Sequence, residues 1–263
     1  MRKYAVIYRS VLMENLQYAL NIAMSFISYF IFIFVFINLW NYIYASPDSL
    51  IAGYTKKQMI WYVMITEAMG FGAPSRTMSR QICTDIRTGN IAYLVNKPYH
   101  YTLYHLARYT GGWSIQLPMF ALLAVFMGLT MVGPLPDFCL LHLLAAIPAV
   151  ILGITIGAVF LICISLISFW IEDANPFHWL YSKLMLLVGT LFPVEIFPAA
   201  LQPIFKLTPI YTVCYGPAKL IVDFTFDQYI EILGAQLLYL GAASALMLFL
   251  YGKGVKKLYV NGG

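Results

Sequence analysis

The sequence predicts an all-α integral membrane protein with six transmembrane helices, and three observations predict it. Hydrophobic residues make up 61% of the 263 and charged residues 10%, with mean hydropathy +0.77, whereas soluble domains carry about a quarter charged residues. Apolar runs recur at 22–44, 59–72, 110–132, 138–170, 177–191 and 230–251. The length leaves room for six helices of about 20 residues, each able to cross a hydrocarbon core of roughly 30 Å. With both termini cytoplasmic, the basic residues segregate: Arg2, Lys3, Arg9, Arg76, Arg80, Arg87, Lys97, Arg108, Lys183, Lys253, Lys256 and Lys257 fall inside, and only Lys56, Lys57, Lys206 and Lys219 outside. That is the positive-inside bias. Asp48, Asp137, Glu195, Asp223, Asp227 and Glu231 all fall outside.

Residues 1–21 read as an interfacial amphipathic helix. Tyr4, Ile7, Tyr8, Val11, Leu12, Leu16 and Ala19 recur at helical spacing, with Arg2, Lys3, Arg9, Glu14 and Gln17 between them. No small-residue cleavage site follows the first apolar run, so it reads as a retained span. That span ends in Trp40, Tyr42 and Tyr44, expected at headgroup depth, and Ser46-Pro47-Asp48 breaks it. The second span carries Glu67 and is loosened at its inner end by Gly70, Gly72 and Pro74. Pro118 lies inside the third, where neighbouring helices can meet the freed carbonyl. The fourth is rich in Gly153, Gly157, Ser165 and Ser168, small residues that let helices approach closely. Glu172 and Asp173 orient the fifth near its N-terminus; a switch role in gating is the alternative.

Between the fifth and sixth spans, residues 193–229 hold Pro193, Pro198, Pro203, Pro209 and Pro217 among apolar residues. Proline at that density rules out a continuous span. Short helices that dip into the outer leaflet and return suit both the apolarity and the breaks.

The long polar island, 76–108, carries Arg76, Arg80, Arg87, Lys97 and Arg108 against the single acid Asp85, so it is expected in water. Ser79 is placed to cap a helix over residues 80–87, and Gly89-Asn90 to end it. Ile82, Ile86, Ile91, Tyr93 and Leu94 give it an apolar side. It reads as a handle gripped by a soluble partner; a basic loop held near lipid headgroups is the alternative.

Other chemistries find little support. Glu67 is the acid placed well inside a span and counts as a functional candidate, either lining a path or carrying a proton, against a neutral glutamic acid at a helix contact. His100, His105, His142 and His178 form no metal motif, and the chain holds no GxxxxGK[ST] phosphate loop. Basic clusters do not alternate with stacking aromatics, which argues against nucleic acid. Cys83, Cys139, Cys163 and Cys214 read as small apolar fillers, with a Cys139–Cys214 disulfide open because both fall on one side. No catalytic set emerges, so the chain reads as a transport subunit rather than an enzyme. A stand-alone secondary transporter or channel remains the alternative.

The stretch Asp85-Ile86-Arg87-Thr88-Gly89-Asn90-Ile91-Ala92-Tyr93-Leu94-Val95-Asn96-Lys97-Pro98 is similar to the R-x-G-x-(x)-x-Y-L-L-x-K-P loop of permease subunits of bacterial type-2 ABC exporters, with Leu94-Val95 for Leu-Leu. Residues 189–198, Gly-Thr-Leu-Phe-Pro-Val-Glu-Ile-Phe-Pro, leading to Leu207-Thr208-Pro209-Ile210-Tyr211, extend the resemblance over essentially the whole chain. It implies that the region of Arg80, Asp85, Arg87 and Gly89 is a coupling helix docking in the cleft of a separate ABC ATPase. It implies too that residues 193–229, with Pro193, Glu195, Pro198 and Pro209, gate the exit, with Glu67 a further residue of the gate or substrate path. Two ATPase subunits, a second copy or a paralogous permease, and a bacterial inner membrane are the implied surroundings. The chain itself would hold no cofactor, ATP and Mg being on the partner, and would export an amphipathic or hydrophobic substrate.

Overall fold

The computed structural model describes the chain apart from residues 1, 18, 45, 47, 48, 172, 262 and 263; for 15–21 and 258–261 the description is of backbone alone. The turn expected at Pro47-Asp48, the role of Glu172 and the side chains of Leu16, Gln17 and Ala19 lie outside it. Among the described residues all regular structure is helical: α1 (Arg2–Gln17), α2 (Ala19–Ile43), α3 (Lys56–Gly72), α4 (Arg76–Arg87), α5 (Ile91–Val95), α6 (Tyr101–Met127), α7 (Leu140–Leu166), α8 (Asn175–Leu184), α9 (Gln202–Lys206), α10 (Gly216–Val222) and α11 (Phe226–Asn261). Among the described residues four stretches are long and apolar enough to cross a membrane: Ile22–Ile43, Tyr101–Val132, Leu140–Phe169 and Phe226–Lys257. The other two expected spans are shorter, α3 with 17 residues and α8 with 10 continued by a seven-residue π-helical segment, Met185–Leu191.

Two span boundaries lie nine or more residues from expectation. α6 starts at Tyr101 rather than Thr110, so the polar island expected over 76–108 ends at His100 and takes Arg108 into a helix. α11 continues past residue 251 to Asn261, carrying Lys253 and Lys256 on a helix rather than a loose tail. No proline interrupts it, and at Gly254 an added Cβ would sit 2.1 Å from the Phe169 ring, so the glycine is a close contact and not a break.

α3 forms the hub. Met59 through Met64 are all buried, around a helix entered through a capping box in which Thr55 and Gln58 satisfy each other's backbone N–H. The preceding turn, Ile51 to Tyr54, places Ala52 and Gly53 at φ of 53° and 85°, the two positive values a tight reversal needs. Tyr29 of α2 donates to the Met64 carbonyl at 2.9 Å, and Trp61 Nε1 donates to the Gly133 carbonyl at 3.1 Å.

The breaks elsewhere are met by side chains. Backbone groups away from water need partners within the protein, and wide π turns followed by proline leave carbonyls without them. Tyr62 donates to the Gly189 carbonyl at 2.8 Å and Thr66 to that of Thr190 at 2.9 Å, both in the segment after α8. A second π segment, Tyr211–Tyr215, is held by the wholly buried Gln236 of α11, whose Nε2 lies 2.8 Å from the carbonyls of Thr212 and of Ala149 in α7. The small residues of α7 act as expected: a Cβ on Gly153 would stand 2.6 Å from the Val213 carbonyl.

Of the three aromatic residues closing α2, only Tyr42 faces outward, at 89% exposed. Trp40 and Tyr44, expected at headgroup depth, turn inward: Trp40 meets Phe192 edge-on at 6.1 Å, and the Tyr44 hydroxyl donates to the Tyr54 carbonyl at 2.9 Å. All four cysteines are free.

Replacing Gln236 by leucine deprives the two carbonyls of their donor. A loss of about 1–3 kcal/mol is expected, read as a lower thermal midpoint of purified protein in detergent; an unchanged midpoint would show that the carbonyls have other partners.

Candidate functional site

Three places carry the sequence-predicted site residues: a basic elbow at one end of the bundle, a polar cluster at the other, and a cavity between.

The elbow is built on α4. Pro74 stops the chain from continuing α3, and the helix restarts at Arg76, four residues before the expected start. Ser79 therefore lies inside it, its Oγ 3.2 Å from the Ser75 carbonyl, and is not the cap. Gly89, at φ 75°, ends the helix by supplying the left-handed residue. Ile82, Ile86 and Ile91 are buried, but against Val159, Ile162 and Leu166 of α7 and Met247 of α11. The apolar side is thus spent inside the bundle and is not offered to a bilayer or a partner's groove. Tyr93, expected on that side, is 63% exposed, with Lys97 Nζ 4.1 Å from its ring centre.

The outward face is basic. Arg76, Arg80 and Arg87 are exposed and make no ion pair among the described residues. With Lys183 and Trp179 of α8 and Asp173 they line a groove of about 590 Å3. Asp85 points the other way: it is 7% exposed, and its two oxygens accept from the Tyr101 hydroxyl at 2.8 Å and Asn90 Nδ2 at 3.0 Å. Of the expected coupling residues, Arg80, Arg87 and Gly89 reach solvent while Asp85 ties the elbow to the start of α6.

α8 closes the groove's other wall. Asp173 Oδ1 accepts from the Asn175 backbone N–H at 2.9 Å, the orienting role expected at this helix start. His178 Nε2 lies 3.0 Å from Ser165 Oγ of α7 and 3.8 Å from Cys83 Sγ of α4. α1 braces the same end along α6. Tyr4, Ile7, Tyr8, Val11 and Leu12 are its shielded residues, as the periodicity predicts. Arg108 reaches Glu14 at 3.4 Å, and Tyr4 accepts from the His100 backbone N–H at 2.9 Å.

At the opposite end, Glu195 is the centre. It sits in a short 3-10 turn, Val194–Ile196, after the buried Pro193. Glu195 Oε1 accepts from the Tyr54 hydroxyl at 3.3 Å and from the Tyr215 hydroxyl, and Lys219 Nζ approaches it to 3.8 Å. Lys219 is 7% exposed, lies over the Tyr54 ring at 4.5 Å and pairs with Asp223 at 2.6 Å. Burial, with the Glu195 carboxylate second, holds the Tyr54 hydroxyl well above its usual range, so it remains a donor. Pro198 is exposed, and Pro209 offers its carbonyl to Thr212 at 2.9 Å.

Lys219, Tyr54 and Tyr215 were not among the sequence candidates. Lys219 in the apolar run Gly216–Val222, with Asp223 at i+4, was the available signal; nothing local links Tyr54 to a carboxylate 141 residues away. Glu67, between these ends, is 6% exposed and lines a cavity with Tyr109, Tyr181 and Thr190.

These features define a multi-pass helical membrane component whose water-facing elbow and broken, proline-rich segment lie at opposite ends. The profile of the ABC-2 family transporter protein family matches residues 26–262, and the chain belongs to that family. Its members are the membrane permease components of ABC transporters, non-catalytic themselves and associated with ABC ATPases. No curated protein matches the sequence.

Substituting Asp85 by alanine leaves Tyr101 and Asn90 without an acceptor. Losing charge-assisted bonds of about 1.5 kcal/mol or more is expected to raise amide exchange of residues 85–95 about tenfold while the rest of the bundle keeps its protection. Unaltered exchange would show that the tether does not order the elbow.

Proposed function

We propose that this chain is the permease of an ATP-driven exporter, worked by two ABC ATPase subunits that bind ATP and Mg and grip α4. The observation that carries the reading is the division of α4 into two faces. Its apolar side is anchored to α7, and its outer side presents Arg76, Arg80 and Arg87 without acidic partners among the described residues. A helix so fixed moves with the bundle when something outside moves it.

The route from elbow to exit follows α7. Its inner half packs on α4, and farther along Gly153 touches the Tyr211–Tyr215 segment, which leads into α10, Lys219 and Glu195. Tilting α7 would therefore disturb the Glu195 cluster, a two-state element biased by ATP on the partner. In this reading α3 and the α8–π segment complete six spans. Both termini and the elbow face the cytoplasm of a bacterial cell, the 193–229 segment re-enters from outside, and a second permease copy or a paralogue completes the path. An amphipathic or hydrophobic substrate suits the apolar interior. The basic groove is also what a headgroup-bound loop without a partner would show, and the experiment separates the two.

Reversing Arg76, Arg80 and Arg87 together to glutamate is expected to abolish co-purification of the partner ABC ATPase, or to leave ATP hydrolysis uncoupled from transport, without loss of the folded permease. Undiminished transport by the triple variant would remove the docking role. Asp85 is left intact in this test because reversing it breaks the elbow from within.

A further inference from the structure

Glu67 Oε1 is buried and has no hydrogen-bond donor among the described residues. The cavity it lines, about 300 Å3, runs between α3, α6, α7 and the end of α8, at the small end of the range for ligand pockets. Around it stand Met69, Tyr109, Tyr181, Met185 and Cys214; Glu67 is the one carboxyl group of the lining, which holds no basic residue. Tyr181 lines the same cavity, and its hydroxyl is likewise buried without a partner among the described residues. The Tyr109 hydroxyl is already committed to the Ala73 carbonyl at 2.9 Å, which leaves its ring as an apolar wall.

Two oxygens without donors, two aromatic rings and two thioethers in one apolar cavity have a common complement. An ammonium group supplies N–H donors to both oxygens, a charge opposite to a carboxylate, and a cation for the tyrosine faces. A buried carboxylate facing no protein cation is costly until such a group arrives. An anion would meet Glu67 with no basic residue to offset it, and a neutral apolar molecule would leave both oxygens unpaired.

We infer that this cavity binds the cationic amine end of an amphipathic substrate, with Glu67 as counter-ion and Tyr181 as second acceptor. The inference rests on the permease reading and names its cargo class. It also accounts for an acid on the largely buried helix α3.

The test uses the purified full chain in lipid nanodiscs and two fluorescent probes of equal length, an alkylammonium amphiphile and its neutral N-acetylated analogue. The wild type is expected to bind the ammonium probe about tenfold tighter than the neutral one. Glu67→Gln is expected to abolish that preference while changing affinity for the neutral probe by less than about twofold. Glu67→Asp, which keeps the charge, retains a preference, and Tyr181→Phe weakens ammonium binding in part. A wild type that binds both probes equally overturns the inference and leaves Glu67 as a proton carrier or a packing residue, whatever the variants do. Retained preference in a monodisperse Glu67→Gln variant overturns it too. ATPase co-purification, measured on the same preparations, reports on the permease reading separately: it is expected to be indifferent to Glu67.

Discussion

The fold depends on satisfying backbone carbonyls that no helix satisfies. A chain this apolar has little water available along its length, so each departure from regular helix has to find a donor nearby. Tyr62 and Thr66 serve the segment that follows α8, and Gln236 serves Tyr211–Tyr215 and α7 together. These are long-range contacts: Tyr62 and Gly189 are separated by 127 residues. They make α3 and α11 the supports on which the irregular part rests. They also explain why α3 is short yet enclosed on every side, since its task is to contact all its neighbours rather than lipid.

That support leaves the two ends of the bundle free to specialise. At one end α4 is fastened by isoleucines below and by Asp85 to Tyr101 in front, so its arginines stand on a rigid base. At the other, Glu195, Lys219, Asp223 and two tyrosines form a compact polar knot in a segment broken by proline. The Lys219 ammonium there is buried, with 9% side-chain exposure, while the Glu195 carboxylate at 30% keeps some contact with water. The knot is therefore held by geometry and shared hydrogen bonds more than by the strength of one pair.

The sequence carried some of this openly and hid the rest. Helix content, the apolar runs, the elbow ending at Gly89 and the small residues along α7 were legible because each depends on neighbours within a turn or two. The facing of α4 was not. Its isoleucines are equally compatible with lipid, a partner's groove or the protein's own core, and only the position of α7 decides among them. The inward facing of Trp40 and Tyr44 was hidden for the same reason, since a tyrosine at a span's end satisfies the headgroup rule and a buried contact equally well.

What the sequence by itself determined is the class of environment: so few charges, gathered into one basic island and one acid-bearing flank, dictate a helical protein in lipid. Tertiary structure alone decided which polar groups are structural and which stand open. Asp85 and Lys219 read as surface charges along the chain and became internal ties, whereas Glu67 kept an oxygen with nothing to accept from. The reason is physical: a charge is assigned its role by what comes within about 4 Å of it, and in this protein those groups arrive from distant parts of the chain.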